Sequence, residues 1–174
     1  WCSLMESLGV RLLPLPNGLQ NPAAHVSDLG VEGIVLSGGN DIADVPEAKD
    51  PAPERDRVER KLIEYASQKK LPLLGVCRGA QMLAHCYGTP LVPVTGHVAI
   101  RHSVQPSSPD FPREPFEVNS YHNFGIAPKS LGESLVASAC DVRGWVESFR
   151  HRDLPQVGLL WHPEREDVWA AHDL

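Results

Sequence analysis

Eleven consecutive residues, Leu71-Pro72-Leu73-Leu74-Gly75-Val76-Cys77-Arg78-Gly79-Ala80-Gln81, constrain this chain more than any others. Leu73, Leu74 and Val76 make the apolar run expected of a short strand covered on both faces. Ala80, Gln81, Met82, Leu83 and Ala84 are good helix formers. Strand and helix meet through Gly75-x-Cys77-x-Gly79, the spacing of a nucleophile elbow with cysteine in the serine position. A strand that breaks into a helix this abruptly brings backbone segments together, and side chains at 75 and 79 would obstruct them. The thiol then sits at a helix N-terminus, where the dipole and free N–H groups favour thiolate. A small buried cysteine also fits such a turn, because cysteine is often buried. The glycine on each side argues for the nucleophile.

Composition narrows the surroundings. A chain of 174 residues with 42% hydrophobic content is long enough for one domain, spanning 1–174, with a substantial core. No apolar run reaches membrane-spanning length and no secretory segment opens the chain, so a soluble protein and no membrane partner are expected. A net charge of −6 without a basic stripe argues against a nucleic-acid partner. Cys2, Cys77, Cys86 and Cys140 are scattered, with no C-x-x-C pair, which fits a reducing cytoplasm and a free thiol at Cys77. His97 and His102 lie five apart with no nearby carboxylate or thiolate at ligand spacing, so no metal and no cofactor are expected. Trp1 and Asp173-Leu174 read as interruptions of a longer sequence.

Along the chain, helices are expected over 2–8, 21–29 and 54–70. In the last, Val58, Leu62, Tyr65 and Ala66 form the apolar face, and the charges, with Arg60 and Glu64 paired, form a solvated one. Strands are expected at 10–13, 33–36, 91–94, 134–139, 145–149 and 156–161. Ser37-Gly38-Gly39-Asn40-Asp41 follows the second of these, at the carboxyl edge where α/β sites collect. Its N–H groups can face an anion, although Gly-Gly is also an ordinary turn. Residues 95–115 read as a long irregular polar loop, with His97, Arg101 and His102 inside it. Residues 116–124 read as a polar–aromatic segment that either caps a turn or lines a pocket.

The last strand ends in Trp161-His162-Pro163-Glu164. Pro163 keeps His162 out of helical angles, and residues two apart in an extended chain point to one side. Glu164 can then accept a hydrogen bond from the His162 ring and fix its tautomer, leaving the other nitrogen as a base. Cys77 becomes the nucleophile, His162 the base then acid, and Glu164 the orienter. Backbone N–H groups of Arg78 and Gly39 are the candidate oxyanion hole.

The ordered set Leu36-Ser37-Gly38-Gly39, Gly75-Val76-Cys77-Arg78-Gly79-Ala80-Gln81 and Trp161-His162-Pro163-Glu164 resembles the class I glutamine amidotransferase domain. Val118-Asn119-Ser120-Tyr121-His122 and Arg55-Asp56-x-x-Glu59 are similar to motifs of its gamma-glutamyl hydrolase branch. The resemblance implies a flavodoxin-like, mostly parallel sheet flanked by helices, and a Cys77-His162-Glu164 triad. It implies a gamma-glutamyl thioester formed on Cys77 and hydrolysed to glutamate. Gln81 matches a glutamine beside the substrate's glutamyl part. His102, Ser103 and Val104, with Asn119, Ser120, Tyr121 and His122, match segments that hold its amino and carboxylate ends. The family's first strand has no counterpart in this sequence. The leaving amine stays open: ammonia, gamma-aminobutyrate or a nucleotide phosphoramidate. Arg78, Arg101 and Arg113 are candidates to meet a phosphoramidate, or are surface residues. The expected partner is a small-molecule gamma-glutamyl substrate, with room for a separate synthetase or nucleotidyltransferase.

Overall fold

The computed structural model describes residues 1–166 of the 174; Asp173-Leu174, read above as an interruption, lies outside the described residues. Among the described residues, four helices, α1 (Cys2–Ser7), α2 (Pro22–Asp28), α3 (Pro53–Lys69) and α4 (Arg78–Cys86), accompany nine strands. The strands are β1 (Ile34–Leu36), β2 (Leu73–Val76), β3 (Val92–Pro93), β4 (Val98–Pro106), β5 (Phe116–Tyr121), β6 (Phe124–Gly125), β7 (Leu135–Asp141), β8 (Val146–His151) and β9 (Gln156–Leu159). Seven form one sheet in the order β1-β2-β9-β8-β7-β4-β5, and β3 pairs with β6. The class is α/β, as expected. β1, β2 and β9 run parallel, with Leu36 opposite Gly75 and Val76 opposite Leu159. The pairings from β9 through β8, β7 and β4 to β5 are antiparallel. The parallel edge carries the elbow, because only parallel neighbours deliver their carboxyl ends to the same side.

Local chemistry explains the helices. Pro53 occupies the first turn of α3, Glu54 and Asp56 sit at its positive end and Lys69 at its negative end. Lys70 stops it in the left-handed conformation. Asn21 caps α2 by accepting from the Ala24 N–H at 3.2 Å. Val58, Leu62, Ile63 and Ala66 of α3 pack into the main core with Met82 and Leu83 of α4 and Leu36 and Leu73 of the sheet. A second core joins Val104, Val118, Ala139, Leu159 and Trp161. Among the described residues no helix is long and apolar enough to cross a membrane.

Three expectations change. Residues 10–13 are not a strand; Val10 and Leu13 are exposed, and no strand among the described residues pairs with the outer edge of β1. A four-residue segment has no strand geometry to keep without a ladder partner. The first part of the polar stretch 95–115 is β4, held between β5 and β7, while 107–115 is irregular as expected. Its alternation was hidden because β4 is mostly exposed, with only Val104 fully buried. Finally, α3 does not carry only a solvated charged face: Asp56 and Glu59 are buried. Arg60 pairs with Asp44 at 2.5 Å, while Glu64 accepts from Gln68.

Candidate active site

Cys77 is the N-cap of α4, at φ 50° and ψ −108°. A non-glycine residue in the left-handed region stores strain of about 1–3 kcal/mol and persists only where its surroundings hold it. They do here. The Cys77 N–H donates to the Leu159 carbonyl at 2.7 Å, and its own carbonyl accepts from Gln81 at 3.0 Å. A Cβ on Gly75 would lie 2.6 Å from the Gly79 carbonyl, and one on Gly79 would enter the Leu36 carbonyl. The two glycines therefore let β2, α4 and β1 close on one another, as the spacing predicted.

Burial pushes the Cys77 thiol up to about 12, with Glu164 and Glu147 adding to the shift. The Arg78 N–H, which hydrogen-bonds the sulfur, and the positive charge of Arg165 oppose it. The expectation that the helix terminus makes a resting thiolate is thus reversed: desolvation outweighs the dipole, and the free protein holds a neutral thiol.

His162 follows β9, the parallel neighbour of β2, and its ring packs on the glycine turn after β1. A Cβ on Gly38 would lie 2.6 Å from the His162 Cε1. Nδ1 of His162 lies 2.7 Å from Glu164 Oε1. The pair forms by a different route from the extended one expected. Pro163 opens a 3-10 turn, Pro163–Arg165, which folds Glu164 back onto the ring.

The glycine turn is anchored by charge. Arg55 donates to the Ser37 carbonyl at 2.6 Å, to the Gly38 carbonyl at 3.1 Å and to Glu59 at 2.7 Å. Arg78, 1% exposed, pairs with Asp56 and Glu59. Burial lowers the Arg78 pKa to about 10 against the pull of Asp56. The Arg78 guanidinium therefore ties α4 to α3 and does not stand at the mouth; only its N–H faces the thiol. Gly39, at φ 147°, has Arg55 against it where a Cβ would go.

The residues matched to substrate contacts divide. Gln81 is buried and donates to the Phe124 carbonyl at 2.7 Å. Ser120 donates to the His97 carbonyl, and His122 Nδ1 lies 2.9 Å from the Phe124 carbonyl. The Val104 side chain is fully buried with Trp161 in the second core, which leaves its backbone as the part able to meet a bound molecule. Ser103 lies beside it on β4, while His102 turns toward Glu147 at 3.7 Å. Asn119 grips the backbone of His162, donating to its carbonyl at 2.8 Å and accepting from its N–H at 2.9 Å. Tyr121 is exposed, edge-on to the His162 ring at 5.7 Å, with Arg165 stacked 4.5 Å over its own ring. Arg101 pairs with Glu166 and Arg113 is exposed. Sequence reasoning missed Arg165; its place two residues past Pro163 was the one available signal.

An elbow cysteine, a carboxylate-paired histidine in the turn after the neighbouring strand and an anchored glycine turn accompany the fold of a glutamine amidotransferase-type hydrolase. The Peptidase C26 family matches residues 3–164, and the chain belongs to it. Gamma-glutamyl-CDP-amidate hydrolase of Campylobacter jejuni is 36% identical over 162 residues, 93% of this chain and 76% of that protein. The glutamine-hydrolyzing GMP synthase subunit of Thermoplasma acidophilum is 28% identical over 178 residues, 98% of this chain and 80% of that protein. Among solved structures, a GMP synthase subunit protein of Thermoplasma acidophilum superposes with a TM-score of 0.77 at 24% identity, covering 98% of this chain and 80% of that one. A glutamine amidotransferase of Thermotoga maritima gives 0.70 at 21% identity, over 93% and 68%.

Proposed function

We propose that this protein hydrolyses a gamma-glutamyl amide through a gamma-glutamyl thioester on Cys77. The observation that carries the reading is the 2.7 Å His162–Glu164 pair in the 3-10 turn that follows β9, the strand beside the elbow. Glu164 keeps the proton on Nδ1, so Nε2 is the free base. His162 takes the thiol proton as sulfur attacks the gamma-carbonyl carbon. The resting thiol is neutral, so this transfer accompanies attack. The N–H groups of Arg78 and Gly39 receive the developing oxyanion; losing one such donor typically costs roughly 3–4 kcal/mol. His162 returns the proton to the departing nitrogen as the C–N bond breaks. It then deprotonates water, which attacks the thioester; the C–S bond breaks, glutamate leaves and the thiol is restored.

The leaving group we favour is CDP-amidate, giving cytidine diphosphoramidate in the cytoplasm for capsule phosphoramidate synthesis. The 36% identity to the Campylobacter protein supports it. So does Arg165, a cation within electrostatic reach of the thiol, suited to a phosphorus-linked leaving group. Hydrolysis of gamma-glutamyl-gamma-aminobutyrate is the neighbouring alternative. A second reading, a glutaminase passing ammonia to a separate synthetase, rests on the 0.77 superposition with the GMP synthase protein.

The test is glutamate release from gamma-glutamyl-CDP-amidate, gamma-glutamyl-gamma-aminobutyrate and glutamine, side by side, with Cys77→Ala as control. Strong preference for the nucleotide conjugate is expected. Preference for glutamine moves the assignment to the glutaminase. Activity in Cys77→Ala would refute the mechanism.

A further inference from the structure

The antiparallel half of the sheet buries a histidine–carboxylate cluster, with Glu147 within electrostatic reach of the thiol, that the proposed chemistry does not use. Glu147 on β8 is fully buried, and neither carboxylate oxygen has a hydrogen-bond partner among the described residues. Three imidazole nitrogens converge on it. His97 Nδ1 lies 3.2 Å from Oε1, His122 Nε2 3.6 Å from Oε2 and His102 Nε2 3.7 Å from Oε2. All three nitrogens are likewise unpartnered. One ligand atom from each of His97, His122 and Glu147 lies within 4.8 Å of the other two.

We propose that His97, His122 and Glu147, joined by His102, bind one divalent transition-metal ion, with zinc as the best fit. The separations are those of ligands, not of donor and acceptor. At 3.6 and 3.7 Å the His122 and His102 contacts are too long for hydrogen bonds. Ligands about 2.0–2.1 Å from a tetrahedral zinc stand about 3.3 Å apart, and the nitrogens lie 3.2 Å from Oε1 (His97) and 3.6 and 3.7 Å from Oε2 (His122 and His102), so small side-chain shifts would close them on one ion. The tautomer of His122 is compatible with a metal on its Nε2. His122 Nδ1 faces the Phe124 carbonyl, which can only accept, so the ring proton sits there. Its Nε2 then faces the Glu147 carboxylate across 3.6 Å, a gap that either a bound metal ion or a second ring proton fills.

The surroundings suit a metal. The Phe124 carbonyl fixes the His122 tautomer, as outer partners of metal-bound histidines do. Behind His97, Nε2 faces Asp141 Oδ2 at 3.5 Å and Arg143 at 2.6 Å. Arginine only donates, so Nε2 accepts from Arg143 in this structure and the ring proton lies on Nδ1; metal on Nδ1 would require that proton to shift to Nε2, facing Asp141, and the half-exposed Arg143 to swing away. His102, with 14% of its side chain exposed, supplies the access route. Four protein ligands close the site, which makes it structural. It would clamp the turn before β4, β4 itself, the residue after β5 and β8.

The experiment counts metal in Cys77→Ala protein purified without chelator, so that the thiol cannot hold the ion. About one zinc per chain is expected by elemental analysis, with at least about a tenfold lower content in Glu147→Gln and no change in His25→Ala, an exposed helical histidine. A strong chelator should lower the melting temperature, zinc should restore it, and cobalt(II) should give the visible bands of a tetrahedral nitrogen–oxygen site. Should Glu147→Gln fail to fold, the Cys77→Ala count and the cobalt spectrum still decide. Protein that carries no metal, gains no melting temperature with zinc and stays colourless with cobalt would overturn the proposal, leaving a protonated histidine–glutamate network.

Discussion

Replacing Asn119 with alanine separates two roles for one residue. The motif resemblance makes Asn119 a substrate contact; the structure makes it the clamp on the histidine proposed as base. Its amide donates to the His162 carbonyl and accepts from the His162 N–H, at 2.8 and 2.9 Å, in a region where both residues are buried. The carbonyl keeps a second partner, the Arg165 N–H at 3.2 Å, so losing that bond costs about 1 kcal/mol net. No second acceptor serves the N–H among the described residues, and a buried donor left alone costs about 1–3 kcal/mol. The bond to Glu166, at 2.6 Å near the surface, adds about 0–1 kcal/mol. The sum is about 2–5 kcal/mol, which in a domain of this size lowers the melting temperature by about 4–20 °C. Releasing His162 by an ångström should also lower kcat, by about 10–100-fold, with KM changed less than about threefold. Calorimetry and glutamate-release kinetics measure both. A variant that melts like the parent and shows raised KM at unchanged kcat would refute the clamp and restore the substrate contact.

Cys77→Ala should abolish glutamate release while leaving the circular dichroism spectrum and melting behaviour of a folded protein; retained turnover would remove Cys77 from the mechanism. Glu164→Gln replaces a charge-assisted bond worth about 1.5–3 kcal/mol with a neutral one, so kcat should fall about 10–100-fold at nearly constant KM, and an unchanged kcat would mean another group orients His162. The resting thiol, raised to about 12, should react slowly with iodoacetamide at pH 8, with exposed Cys2 labelled first by mass spectrometry and Cys77 labelling rising about tenfold per pH unit above pH 9. By linkage, a raised thiol pKa favours the folded state below pH 9 and loses that contribution between pH 9 and 12. Cys77→Ala should therefore unfold less steeply with alkali than the parent; an identical alkaline profile would contradict the buried neutral thiol.

The sequence by itself determined whatever is local in the chain. Gly75, Cys77 and Gly79 specify the elbow, because an abrupt strand-to-helix turn has few steric solutions and these residues supply one. Trp161-His162-Pro163-Glu164 specifies the histidine–carboxylate pair, since Pro163 restricts the backbone between them, although by a 3-10 turn and not by an extended chain. The helix ends were legible from proline, acidic and lysine placement. Tertiary structure decided everything that depends on desolvation or on distant neighbours. The protonation of Cys77 is one case: spacing places a thiol at a positive helix end, but only packing reveals how much water is removed. The ion network of Arg55, Asp56, Glu59 and Arg78 is another, because helical charges read as solvated until α3 and α4 are brought together. β4 was hidden in a polar stretch, since an exposed antiparallel strand is stabilised by its ladder partners more than by its own apolar pattern. The convergence of His97, His102 and His122 on Glu147 spans fifty residues, a grouping that no spacing rule records and that pairing of β4, β5, β7 and β8 creates.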